Sequence, residues 1–176
     1  MEWRHQHLQR TRHVVEPFGL RRWRLRSPTL SAKFYTCARP GISKGQKASV
    51  EDAFLHDWVR WLLEQRNVVV VSLLGKKPNG RSEFSYYSFY DEGLSLQQWI
   101  DANYGDKAVK VIEHQTCDSR LVPDQVLAAI KSDVLKAWSE RRTVVLMDSG
   151  GVQRVRQVCK YLGATEDKSP SMPTAV

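Results

Sequence analysis

The chain has 176 residues, of which 41% are hydrophobic and 26% charged, which suits one globular domain with a sizeable core. No apolar run approaches the ~20 residues of a membrane span, and the basic N-terminus lacks the apolar stretch of a secretory signal. Cys37, Cys117 and Cys159 are odd in number and widely spaced, so they make neither a disulfide framework nor a C-x-x-C metal pair. That pattern favours a reducing, cytoplasmic setting. No metal and no cofactor is assigned.

The net charge of +8 belongs to one end. Residues 1–50 carry eleven Lys and Arg against two acids, and residues 51–176 balance to −1. Residues 1–28 therefore read as a basic arm, residues 29–164 as the domain and residues 165–176 as a polar, Pro-rich disordered tail. In the arm, Trp23 and Leu25 alternate with Arg22, Arg24 and Arg26, which is a strand-like period of two. One reading has Arg21, Arg22, Arg24 and Arg26 contacting nucleic acid or an acidic surface. The other has a strand covering a sheet edge, with its arginines outward and Trp23 and Leu25 inward.

After a Gly- and Pro-bearing loop, a helix is expected from Ser49, its cap, with Phe54, Leu55, Trp58 and Leu62 on its apolar face. The continuous run Val68–Leu74 reads as a buried central strand. Residues 83–90, rich in Tyr and Phe, suggest another strand or edge segment. A helix over 94–104, a short strand over 108–112 and a helix opening at Pro123 follow. Thr143–Met147 reads as a second buried strand, leading through Asp148, Ser149, Gly150 and Gly151 into a helix that stops near Gly163. Alternating strands and helices make the class α/β, with a central, mainly parallel sheet flanked by helices.

The strand–loop–helix at 143–162 has the makings of an anion site. Loop amides converge there, the helix dipole adds positive charge, and Arg154 in the first helical turn offers a planar fork. Gly150 and Gly151 open conformations closed to other residues. Ser149, Gly150, Gly151, Val152, Gln153 and Arg154 are the candidate phosphate-binding residues.

Those residues resemble the protein tyrosine and dual-specificity phosphatase signature, His-Cys-x-x-Gly-x-x-Arg-Ser/Thr between a strand and a helix. Gly151 and Arg154 fall on its Gly and Arg. Asp148 falls on the nucleophilic cysteine, Met147 on the histidine and Val155 on the Ser/Thr. The resemblance extends over residues 30–163. Asp118, thirty residues before Asp148 in the loop preceding the Pro123 helix, falls where dual-specificity members keep their general acid.

The resemblance implies a phosphatase-like fold in which the reaction is impaired. A carboxylate is a poorer nucleophile than the family's low-pKa thiolate. A second anion about 4 Å from it would be repelled by ~4 kcal/mol at an effective dielectric of 20. The expectation is an ionised Asp148 paired with Arg154 and the loop amides, in a binding or regulatory module that engages a phosphoprotein or another phosphorylated ligand. The alternative is a working phosphohydrolase, with Asp148 as nucleophile, Asp118 as acid and Arg154 as clamp; a further one is a polyanion binder acting through the arm. The run DSGG also matches part of the trypsin-like protease signature, but a helix follows it directly. A haloacid-dehalogenase-type site needs a second Asp where Gly150 stands.

Overall fold

The computed structural model describes residues 19–25, 33–42, 48–106 and 109–167. Residues 1–18, Arg26 and the tail from 168 onward lie outside them. The strands are β1 (Arg21–Leu25), β2 (Phe34–Ala38), β3 (Val68–Ser72), β4 (Lys110–Glu113), β5 (Thr143–Asp148) and β6 (Ala164–Glu166). The helices are α1 (Asp52–Gln65), α2 (Ser88–Asp91), α3 (Leu96–Tyr104), α4 (Asp124–Ser139) and α5 (Gln153–Tyr161), with a 3₁₀ turn at Glu83–Tyr86. The sheet order is β4-β3-β5-β2-β1-β6. The first four are parallel, and β1 runs antiparallel to both neighbours. The fold class is thus α/β with a mainly parallel sheet, as the alternation of patterns implies.

The two central strands are apolar on both faces because both faces are covered. Val68, Val70, Val145 and Met147 pack beneath Leu55, Trp58 and Leu62 of α1 and Trp99 and Ile100 of α3. Val69, Val71, Val144 and Leu146 pack beneath Ile130, Val134 and Trp138 of α4 and Val155 and Val158 of α5. Side chains alternate along a strand, so Asp148 shares the face of Val144 and Leu146 and turns toward α5. No helix among the described residues is long and apolar enough to cross a membrane.

Several local expectations need correction. The first helix begins at Asp52, with Glu51 rather than Ser49 at the cap position. Val50 is 6% exposed and donates its amide to the Tyr86 carbonyl at 2.7 Å, which holds the chain extended ahead of the helix. Residues 83–90 are not a strand. The Ser82 side chain accepts the Phe84 amide, which starts the 3₁₀ turn, and Tyr87 and Phe89 stack at 5.4 Å. A dense aromatic run satisfies a core facing α1 and α3 without any strand pairing. Pro123 occupies the cap position of α4 rather than its first turn.

Segments near both ends of the described residues also join the sheet. β1, from the expected arm, pairs with β2 on one side and with β6 on the other. The expected tail therefore contributes Thr165 and Glu166 to a strand. Trp23 and Leu25 pack inward, and the Trp23 indole donates to Thr36 Oγ1 at 2.9 Å. Arg22 and Arg24 point outward.

Candidate functional site

β5 delivers Asp148 to the amino end of α5. Its carboxylate is almost completely enclosed, the residue being 2% exposed. One oxygen, Oδ1, accepts the Gly151 amide. The other, Oδ2, accepts the amides of Arg154 at 2.9 Å and Val155 at 3.1 Å. A helix start leaves its first amides without carbonyl partners, and the dipole there favours negative charge. Asp148 supplies that charge from within the loop.

Gly151 makes the loop possible. Its φ is +69°, and a Cβ there would lie 2.6 Å from the Ala38 amide nitrogen at the end of β2. Gly150 has no such constraint: a Cβ added to it meets nothing within 4 Å. Of the remaining loop residues, Val152 is 41% exposed and Gln153 is exposed. Met147 packs in the core under α1, and Val155 is buried against the opposite face of the sheet.

The Arg154 side chain is also buried, but it turns away from Asp148. Its Nη2 donates to Glu83 Oε1 at 2.7 Å and its Nη1 to Glu83 Oε2 at 2.8 Å, a two-point pair. Nη1 also reaches the Leu73 carbonyl at 2.9 Å and Thr116 Oγ1 at 3.0 Å. Burial alone would lower the Arg154 pKa; the bond to Glu83 and the charges of Glu83, Asp148 and Asp118 raise it instead. The expected pairing of Asp148 with Arg154 therefore runs through the backbone amide of Arg154, while its guanidinium belongs to Glu83.

Glu83 is a site residue that the sequence pattern does not reveal. It is 1% exposed and also accepts the Gly75 amide at 2.8 Å. Its only sequence signal is an acid standing among aromatic residues. Asp118 Oδ1 lies 3.5 Å from Arg154 Nη2, with its side chain 35% exposed. The Asp118 carboxylate is also held by the Ser119 amide at 2.9 Å.

Cations gather beside this acidic group. The Arg39 amide donates to the Asp148 carbonyl at 2.9 Å, and its guanidinium lies 4.4 Å from the centre of the Tyr86 ring. Lys77 Nζ sits 3.6 Å from the same ring centre. Its pKa is lowered, by burial first and then by Arg39 and Arg81, against the opposing pull of Glu83 and Asp118. Cys37, one strand away, is no substitute nucleophile. Burial pushes its thiol up to about 12, and the Asp148 charge adds to that, although the nearby Trp58 indole acts the other way. No group of three or more His, Cys, Asp or Glu among the described residues is placed to hold a metal ion.

Comparison with protein-family models and with curated proteins finds no match for this sequence. Among solved structures it is similar to the kinase-associated phosphatase crystallised with its catalytic-site cysteine replaced by serine. The TM-score is 0.57 at 15% identity, covering 82% of this chain and 72% of that one. The fold is protein tyrosine phosphatase-like. Tk-PTP in its active form gives a TM-score of 0.45 at 15% identity, over 74% of this chain and 69% of that one. A mutant form of Tk-PTP gives 0.42 at 14%, over 76% and 70%.

Proposed function

We propose that this chain is a phosphatase-fold binding or regulatory module that does not turn over phosphate esters, because its phosphate loop is filled by its own carboxylate. The observation that carries this reading is the set of three amides, from Gly151, Arg154 and Val155, bonded to Asp148 inside a closed loop. A phosphoryl oxygen entering there would compete with a carboxylate already in place, and would meet its charge. It would also have to draw Arg154 away from Glu83.

The neighbouring positions point the same way. Met147 offers no hydrogen-bond donor to order the loop, and Val155 has no hydroxyl to assist a leaving group. Asp118 keeps its place near Arg154 but has no thiolate phosphoester to act upon. A hydrolase built on Asp148 would have to attack with an oxygen that already accepts one or two loop amides. The polyanion reading draws little support from β1, whose arginines have acidic partners. Arg21 pairs with Glu166 at 3.1 Å and Arg24 with Asp167 at 2.9 Å, and Arg22 lies 3.9 Å from Asp167. Arg26 lies outside the described residues. The partner is proposed to be a phosphoprotein or other phosphorylated ligand, held by surfaces around the loop rather than by the loop's own amides.

The test is turnover of p-nitrophenyl phosphate by the wild type, by Asp148→Cys, and by Asp148→Cys combined with Met147→His and Val155→Ser. The wild type is expected to stay at background, with turnover appearing when the cysteine is restored and rising in the triple variant. Wild-type turnover that disappears in Asp148→Asn would overturn the reading and favour the hydrolase.

A further inference from the structure

Lys77 and Arg81 stand on a tight turn just ahead of Glu83. The Lys77 amide donates to the Arg81 carbonyl at 2.8 Å, and the Gly80 amide to the Lys77 carbonyl at 2.9 Å. Lys76 bridges Ser82 in antiparallel fashion, so Lys77 and Arg81 face each other across the turn. Side chains directly opposite in that geometry have Cβ atoms ~5 Å apart, and like charges so placed repel. A third cation lies close by: the Tyr86 ring has Lys77 Nζ at 3.6 Å from its centre and the Arg39 guanidinium at 4.4 Å.

The acids of this region are committed elsewhere. Glu83 gives both oxygens to Arg154 and one of them also to the Gly75 amide. Asp118 lies against Arg154 and the Ser119 amide. Among the described residues neither Lys77 nor Arg81 forms an ion pair. Lys77 is half-buried and Arg81 exposed, so a ligand can reach both. The 117–122 loop runs alongside the turn, joined to it by the Lys76–Cys117 bridge and by the Asp118 amide on the Lys76 carbonyl at 2.8 Å. On that loop Leu121 is 77% exposed.

We infer that Lys77 and Arg81, with Arg39 adding charge at the Tyr86 ring, hold the phosphoryl group of a phosphopeptide whose chain continues over the 117–122 loop and covers Leu121. This rests on the proposed function, in which a phosphorylated partner is held outside the Asp148 loop, and it names the residues that hold it. A phosphate monoester offers three acceptor oxygens, enough to bond an ammonium and a guanidinium together, and its charge relieves the repulsion between them. Burial of Leu121 adds an apolar contribution that a free anion cannot make.

The experiment uses the full chain at constant ionic strength and three probes: a nine-residue peptide with a central phosphoserine flanked by leucines, its unphosphorylated twin, and inorganic phosphate. Affinity is measured by isothermal titration calorimetry, and the site is mapped by amide chemical shifts. The phosphopeptide is expected to bind more tightly than inorganic phosphate and to move the amides of Lys77, Gly80 and Arg81, while the twin does not bind. Lys77→Gln and Arg81→Gln should each weaken it about tenfold, the worth of one charge-assisted bond. Leu121→Ser should weaken the phosphopeptide and leave inorganic phosphate unchanged. Equal binding of the twin, or full affinity in both Gln variants, would overturn the inference. Inorganic phosphate binding as tightly as the phosphopeptide, or no effect of Leu121→Ser, would overturn the assignment to a peptide. Absence of phosphopeptide binding would overturn this inference alone, since the turnover test reads the Asp148 loop separately. Shifts centred on Gly151, Arg154 and Val155 would overturn it together with the filled loop.

Discussion

Asp148 shows how a side chain can supply the acceptor that the amides of its own loop need. Three amides that need an acceptor find it in a side chain of the same loop. Arg154 is the second such residue, since its fork is matched by Glu83 rather than held open. Both are 2% exposed or less with their partners, so their pairing weighs on stability as well as on chemistry. Removing one partner of a buried ion pair strands the other charge and costs ~3–5 kcal/mol. Glu83→Gln keeps the shape but removes the charge, and urea unfolding should show a loss of about 3 kcal/mol. A loss below ~1 kcal/mol, the level of an exposed pair, would mean that Arg154 has another anchor. The strand-to-helix loop that carries Asp148 and Arg154 was legible because an apolar strand, two glycines and a helical period stand in sequence there. Glu83 was not, because it meets Arg154 across 71 positions and no local period marks it.

The elements behave as their apolar patterns require wherever both faces of a strand are buried. β3 and β5 are continuous Val and Leu runs, and they form the middle of the sheet. The 83–90 segment misleads because aromatic residues pack equally well from a turn. The edge strand β4 illustrates another device invisible to pattern reading. The Gln97 side chain donates to the Val109 carbonyl at 2.9 Å and accepts the Val111 amide at 2.6 Å, standing in for a neighbouring strand. An edge so covered is withheld from pairing with another chain. Gln97→Ala should cost about 1 kcal/mol for the lost bonds and speed hydrogen exchange at the Val111 amide. Unchanged exchange at Val111 would show that the side chain does not protect the edge. Ser95 begins α3 with a full capping box, which fixes where Gln97 emerges.

For the molecule as a whole, the α/β class and the position of the loop followed from alternating periods and from two buried strands. The outer part of the sheet did not. Charge composition separates residues 1–50 from the rest, yet β1 is built into the sheet between β2 and β6. Composition reports solvation of the outward arginines, whereas the inward Trp23 and Leu25 decide the packing. The ion pairs of Arg21 with Glu166 and of Arg24 with Asp167 tie these two ends of the described chain together. The resulting scaffold has a phosphatase-like fold and places a carboxylate inside the loop that leads into α5. The most direct test is the thermal stability of the wild type and of Asp148→Ala, with and without millimolar phosphate at constant ionic strength. Asp148→Ala should lose ~1–3 kcal/mol by leaving three amides without their acceptor. Phosphate should restore much of that loss, because a ligand at a hundred times its Kd contributes ~2.7 kcal/mol, while leaving the wild type unchanged. Equal stabilisation of both proteins by phosphate would contradict a loop already filled by Asp148.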